Sequence, residues 1–128
     1  FEIKTDSLMQ PQIEILFQKI LPILHHEDIV TSFDWKSIKD FKELFSCQYG
    51  IILDHEDALF EAKSISIHDE QMFFIVEKTL LDSRNFDLPL DRTIIWTVNE
   101  KNDFVHFLNI GAFGVITDIP DKMHIYRK

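Results

Sequence analysis

The chain has 128 residues, 45% of them hydrophobic and 12 of them phenylalanine, which supplies apolar material for one sizeable core and argues against disorder. Its 22 acidic against 13 basic residues give a formal charge of -9 with no local basic patch, which argues against nucleic acid as a partner. The single cysteine, Cys47, rules out an internal disulfide and reads as a buried small residue, and no run of about 18 apolar residues offers a membrane span.

Phe1-Glu2-Ile3-Lys4 alternates apolar and charged residues, the period of a strand, and opens without a leader or a polar tail, as a chain cut from a longer one would. Ser7 and Gln10-Pro11 offer helix-start chemistry for an amphipathic helix carrying Ile13, Leu16, Phe17, Ile20, Leu21 and Leu24, and Pro22 bends or ends its last turn. Ile29-Val30-Thr31-Ser32 is a short β-branched strand, and Asp34 caps a helix bearing Trp35, Ile38, Phe41, Leu44 and Phe45. Gly50-Ile51-Ile52-Leu53 suits a buried parallel strand, 56–62 a brief helix, and Ser64-Ile65-Ser66-Ile67 a further strand. Asp69 is expected to cap the next helix, with Met72, Phe73, Val76, Leu80 and Leu81 on its apolar face, before a loop over 85–92 that contains Pro89. Thr93-Ile94-Ile95-Trp96-Thr97 is a strand, 103–110 a helix that Gly111 terminates, and Gly114-Val115-Ile116-Thr117 the last strand.

These make about six strand-plus-helix units at a spacing of about 15 to 30 residues, which favours a parallel sheet with helices outside. A closed barrel of such units needs eight and typically about 250 residues, whereas an open doubly wound sheet uses five or six. The glycine-rich phosphate loops that often mark the open sheet, GxGxxG and GxxxxGK, do not occur.

The strand ends carry the candidate chemistry. Glu2 and Lys4, two apart, project together while Ile3 turns to the opposite layer, and a carboxylate beside an ammonium suits a hard-metal site or a phosphate clamp as well as an exposed terminal pair. Trp96 ends an apolar strand with Asn99 three residues on, where it can wall a small alcohol or glycerol moiety or serve as core. Asp118 and Pro120 read as turn and strand-stop residues. The six histidines, His25, His26, His55, His68, His106 and His124, fall at helix ends, helix faces and loops, with His68 taken to follow a strand.

In order along the chain, Glu2-Ile3-Lys4, Thr31-Ser32-Phe33, Tyr49-Gly50-Ile51-Ile52, Trp96-Thr97-Val98-Asn99 and Gly114-Val115-Ile116-Thr117-Asp118-Ile119-Pro120 resemble successive strand ends of the glycerophosphodiester phosphodiesterase family. The stretch 94–121 is the most specific part, while 55–91 matches only in rhythm. The resemblance implies about six of the eight units of a TIM barrel, lacking the first two strands, and an enzyme that hydrolyses glycerophosphodiesters to sn-glycerol 3-phosphate and an alcohol. It further implies a divalent cation, Ca²⁺ or Mg²⁺, with Glu2 as one ligand, Lys4 meeting the phosphate oxygens and Trp96 packing against the glycerol.

The His-Arg-Gly and Glu-x-Asp motifs of that family's first two strands do not occur here, and the single His-Asp dipeptide, His68-Asp69, lies in the stretch that matches only in rhythm, so neither acid-base histidine is assigned and the chain by itself is expected not to turn over. The expectation is the C-terminal portion of a longer enzyme, with open sheet edges that pair with a missing half or with another copy. Two other readings stand beside it. One is a non-catalytic barrel portion or subunit acting by binding or assembly; the other is an open α/β sheet that binds a small molecule or a protein.

Overall fold

In a computed structural model that describes residues 1–126, five parallel strands alternate with helices, the α/β arrangement implied by the short apolar runs. The chain divides into two compact units, Phe1–Ile52 and Leu53–Lys128.

In the first unit the N-terminal segment runs beside β1 (Ile29–Ser32): Glu2 forms a parallel bridge with Thr31, and the Ile3 N–H donates to the Thr31 carbonyl at 2.7 Å. β1 in turn pairs in parallel with β2 (Gln48–Leu53), Val30 opposite Tyr49 and Ser32 opposite Ile51. Helix α1 (Gln10–Ile20) begins where Gln12 Oε1 accepts from the Met9 N–H at 2.8 Å, and a 3₁₀ turn containing Pro22 ends it. Ser7, expected to open this helix, instead lies before it with φ of 65°. Helix α2 (Trp35–Lys42) starts on Asp34, whose Oδ1 accepts from the Lys36 N–H at 3.0 Å. Phe17 of α1 and Phe41 of α2 are buried edge to face with ring centroids 4.6 Å apart, and Phe41 also meets Tyr49. Val30 and Tyr49 therefore occupy the helix-covered face of the strands, and Glu2, paired with Thr31, occupies the opposite one.

The second unit holds α3 (Glu56–His68), β3 (Phe73–Glu77), β4 (Thr93–Trp96), α4 (Lys101–Asn109), β5 (Gly114–Val115) and α5 (Pro120–Met123). β3 pairs with β4 and β4 with β5, all parallel. Ile95 and Val98 are buried with Phe104 and Phe107 of α4, Ala112 and Met123, so Ile95 faces the helices and Trp96 the other way. Gly111 ends α4 with φ of 95°, a backbone conformation that costs a residue with a Cβ. Within each unit the strands neighbour one another in chain order, without the reversal that marks a doubly wound switch point.

Two expected elements are exchanged. Ser64-Ile65-Ser66-Ile67 is not a strand but the end of α3, because Leu59, Ala62 and Ile65 at three-residue intervals bury one helix face while Ile67 remains exposed. The helix expected after Asp69 is replaced over its first part by a strand, Phe73-Phe74-Ile75-Val76 being buried on both faces, which removes the alternation by which strands are recognised. Only Lys78–Asp82, with Leu80 and Leu81, is helical, as a 3₁₀ turn. Asp69 instead accepts from the Gln71 N–H at 3.0 Å in the connecting turn. Cys47, expected to be buried, is half-buried.

Candidate functional site

Ile3 anchors the N-terminal segment: it is buried, and its carbonyl accepts from Ser32 Oγ at 2.7 Å. Ser32 is itself buried and accepts from the Asp34 N–H at 3.1 Å, so one hydroxyl joins the segment, the end of β1 and the cap of α2. Asp34 Oδ2 accepts from Thr5 Oγ1 at 3.2 Å and from Ser37 Oγ at 2.5 Å. Partial burial pushes the Asp34 carboxyl up, but the hydrogen bonds from Ser37, Thr5 and Lys36 outweigh it and hold the group below its usual range.

With Ile3 turned inward, Glu2 and Lys4 project from the other side, their charged atoms 3.8 Å apart. Both line an open pocket of about 80 Å³ with Thr5, Asp6, Ser32 and Phe33, at the C-terminal ends of the segment and of β1. The volume suits a group of phosphate size, being well below the roughly 300 Å³ at which pockets begin to enclose whole drug-sized ligands.

In the second unit Trp96 is half-buried at the C-terminal end of β4, and its indole N–H donates to the Ile75 carbonyl at 3.1 Å. The Trp96–Thr97 peptide bond is cis. Beyond it the Val98 N–H donates to the Ile116 carbonyl at 2.9 Å, and the Asn99 side chain closes a clamp on the end of β5. Its Nδ2 donates to Asp118 Oδ2 at 2.8 Å, and its Oδ1 accepts from Thr117 Oγ1 and from the Asp118 N–H, each at 3.0 Å. The Trp96-Thr97-Val98-Asn99 and Thr117-Asp118 stretches are thus one hydrogen-bonded structure, and Asp118 serves this clamp rather than capping a turn of its own.

All six histidines are exposed. His68, expected beyond a strand, is the last residue of α3, so the chain's one His-Asp dipeptide, His68-Asp69, stands at a helix C-terminus. His55 lies two residues past the end of β2, at the N-cap of α3, with Nδ1 2.5 Å from Asp54 Oδ1. Glu77 escaped the sequence reading because it fell inside the expected helix; the run Phe73-Phe74-Ile75-Val76 was the signal that could have set it at a strand end. Among the described residues no three His, Cys, Asp or Glu side chains gather as a metal site. Ca²⁺ and Mg²⁺ want about six or more oxygen ligands, so the Glu2 carboxylate beside the Lys4 ammonium, with Asp6 as the second carboxylate lining the same pocket, does not by itself fit such an ion.

In comparisons with known proteins, no protein-family model and no curated protein matches the chain.

Proposed function

We propose that this chain forms the C-terminal part of a metal-dependent glycerophosphodiester phosphodiesterase with a TIM-barrel fold, which hydrolyses glycerophosphodiesters to sn-glycerol 3-phosphate and an alcohol. One observation carries the reading: Glu2, Lys4, Phe33, Trp96, Asn99 and Thr117 all stand at or just beyond C-terminal ends of parallel strands, where β/α proteins assemble their sites. Glu2 and Trp96, moreover, each project from the strand face opposite the helices of their own unit.

Lys4 is assigned to the phosphate oxygens, where its ammonium offsets charge that grows as water attacks phosphorus and the alcohol departs. Trp96 is assigned to the carbon face of the glycerol. Glu2 is assigned as one ligand of a Ca²⁺ or Mg²⁺ ion whose remaining ligands, like the acid-base groups, lie outside these residues. The Ser32–Asp34 network supports this reading because it holds the Glu2-Ile3-Lys4 segment in place. A second reading, a non-catalytic relative that binds or assembles, is favoured by the pairing of Glu2 with a lysine rather than with further carboxylates.

The test is release of sn-glycerol 3-phosphate from glycerophosphocholine by the complete gene product with Ca²⁺ or Mg²⁺. Lys4→Ala is expected to lower kcat by about 100-fold, the scale for removing one charge-stabilising donor, and Glu2→Ala to raise the metal requirement. No hydrolysis would favour the non-catalytic reading, and hydrolysis that survives exhaustive chelation and both substitutions would overturn the roles assigned to the metal, Glu2 and Lys4.

A further inference from the structure

Glu77 is the last residue of β3 and stands in register with Trp96, the last of β4, so the two side chains leave the same face of the parallel pair. The Trp96 indole N–H reaches the carbonyl of Ile75, two residues before Glu77, which lays the ring over β3 on the side to which Glu77 projects. Glu77 is held rigidly: its Oε2 accepts from the Thr79 N–H at 2.9 Å and from the Thr79 hydroxyl. Its Oε1 takes no hydrogen bond among the described residues. Lys78, next in the chain, turns its ammonium to Asp103 at 3.3 Å, so the Glu77 charge has no cation beside it from that source.

A fixed carboxylate beside an aromatic ring repels phosphate and suits the opposite end of a glycerophosphodiester, whose carbons pack on the ring while a hydroxyl donates to the carboxylate. Building on the phosphodiesterase reading above, we infer that Glu77 is a specificity-determining residue that accepts a hydrogen bond from a glycerol hydroxyl at Trp96. The phosphate then lies away from the Trp96 end, and the uncharged polyol is what Glu77 selects.

The complete gene product is assayed on sn-glycero-3-phosphocholine, on propyl phosphocholine, which lacks both glycerol hydroxyls, and on sn-glycero-3-phosphomethanol, which lacks the cationic alcohol. Glu77→Ala is expected to lower kcat/KM about 10- to 100-fold on the two glycerol substrates, the range for a hydrogen bond to a charged group, and to leave propyl phosphocholine within about twofold. Glu77→Gln, which keeps an acceptor for Thr79 and for the substrate, is expected to fall between. Equal losses on all three would reduce Glu77 to the cap of its turn and overturn the inference. A loss confined to phosphocholine substrates would assign the carboxylate to the ammonium and overturn it as well. If the unsubstituted protein cleaves none of them, the phosphodiesterase reading fails first and this inference with it.

Discussion

Replacing Asn99 tests how the ends of β4 and β5 are held. Asn99→Ala removes three hydrogen bonds, one of them to the Asp118 carboxylate, from an exposed position where water can take over part of their role. At about 0.5 to 1 kcal/mol for each bond at an exposed position, the loss is about 2 kcal/mol. For a chain of this length, with an unfolding entropy of about 0.27 kcal/mol/K, the thermal midpoint should fall by about 7 °C. Asn99→Asp is the sharper probe, because it sets a second carboxylate where Nδ2 lies 2.8 Å from Asp118 Oδ2. Repulsion of roughly 1 kcal/mol for exposed like charges, added to loss of the Nδ2 bond, should make it less stable than the unsubstituted protein at neutral pH although it keeps the two bonds accepted by Oδ1. That repulsion raises the carboxyl pKa in the folded state, so the deficit should shrink as pH falls and one carboxylate protonates. Thermal and urea unfolding followed by circular dichroism between pH 4 and 8 would measure both. A midpoint for Asn99→Ala within about 1 °C of the unsubstituted protein, with Asn99→Asp no less stable and no pH trend between them, would refute the clamp as a stabilising element.

Asp34→Ala removes an N-cap and should cost about 1 to 2 kcal/mol at neutral pH by urea unfolding. Because the folded-state pKa of Asp34 is held below its ordinary value near 3.8, this contribution is fully present above that pH and fades as pH falls through the lowered value, so the two proteins should converge in acid. Phe41→Ala should cost about 3 to 5 kcal/mol, since its fully buried ring contacts both Phe17 and Tyr49, and a loss under 1 kcal/mol would contradict that packing.

Local sequence fixes local structure where one physical rule acts alone. Asp34 before Trp35 marked a helix start because its short carboxylate reaches the second backbone N–H of the helix, and Gly111 marked a helix end because it accepts a positive φ. The projection of Glu2 and Lys4 to one side followed from strand periodicity and is present as an approach of 3.8 Å. The exchange of strand and helix over 64–77 had the opposite cause: the strand is buried on both faces, the helix ends in alternating Ser and Ile, and each imitates the other's period. Glu77 was lost with that exchange, and His68 was set beyond a strand that is a helix.

The sequence by itself determined the α/β class, the start of α2 at Asp34 and the end of α4 at Gly111, because each depends on periods and side chains within a few positions of one another. Only the tertiary structure decided that Asn99 grips Thr117 and Asp118, that Ser32 ties Ile3 to Asp34, and that Glu77 stands beside Trp96. Asn99 lies 18 and 19 residues from Thr117 and Asp118 and Ser32 lies 29 from Ile3, and strand register, which no local period encodes, brings Glu77 level with Trp96.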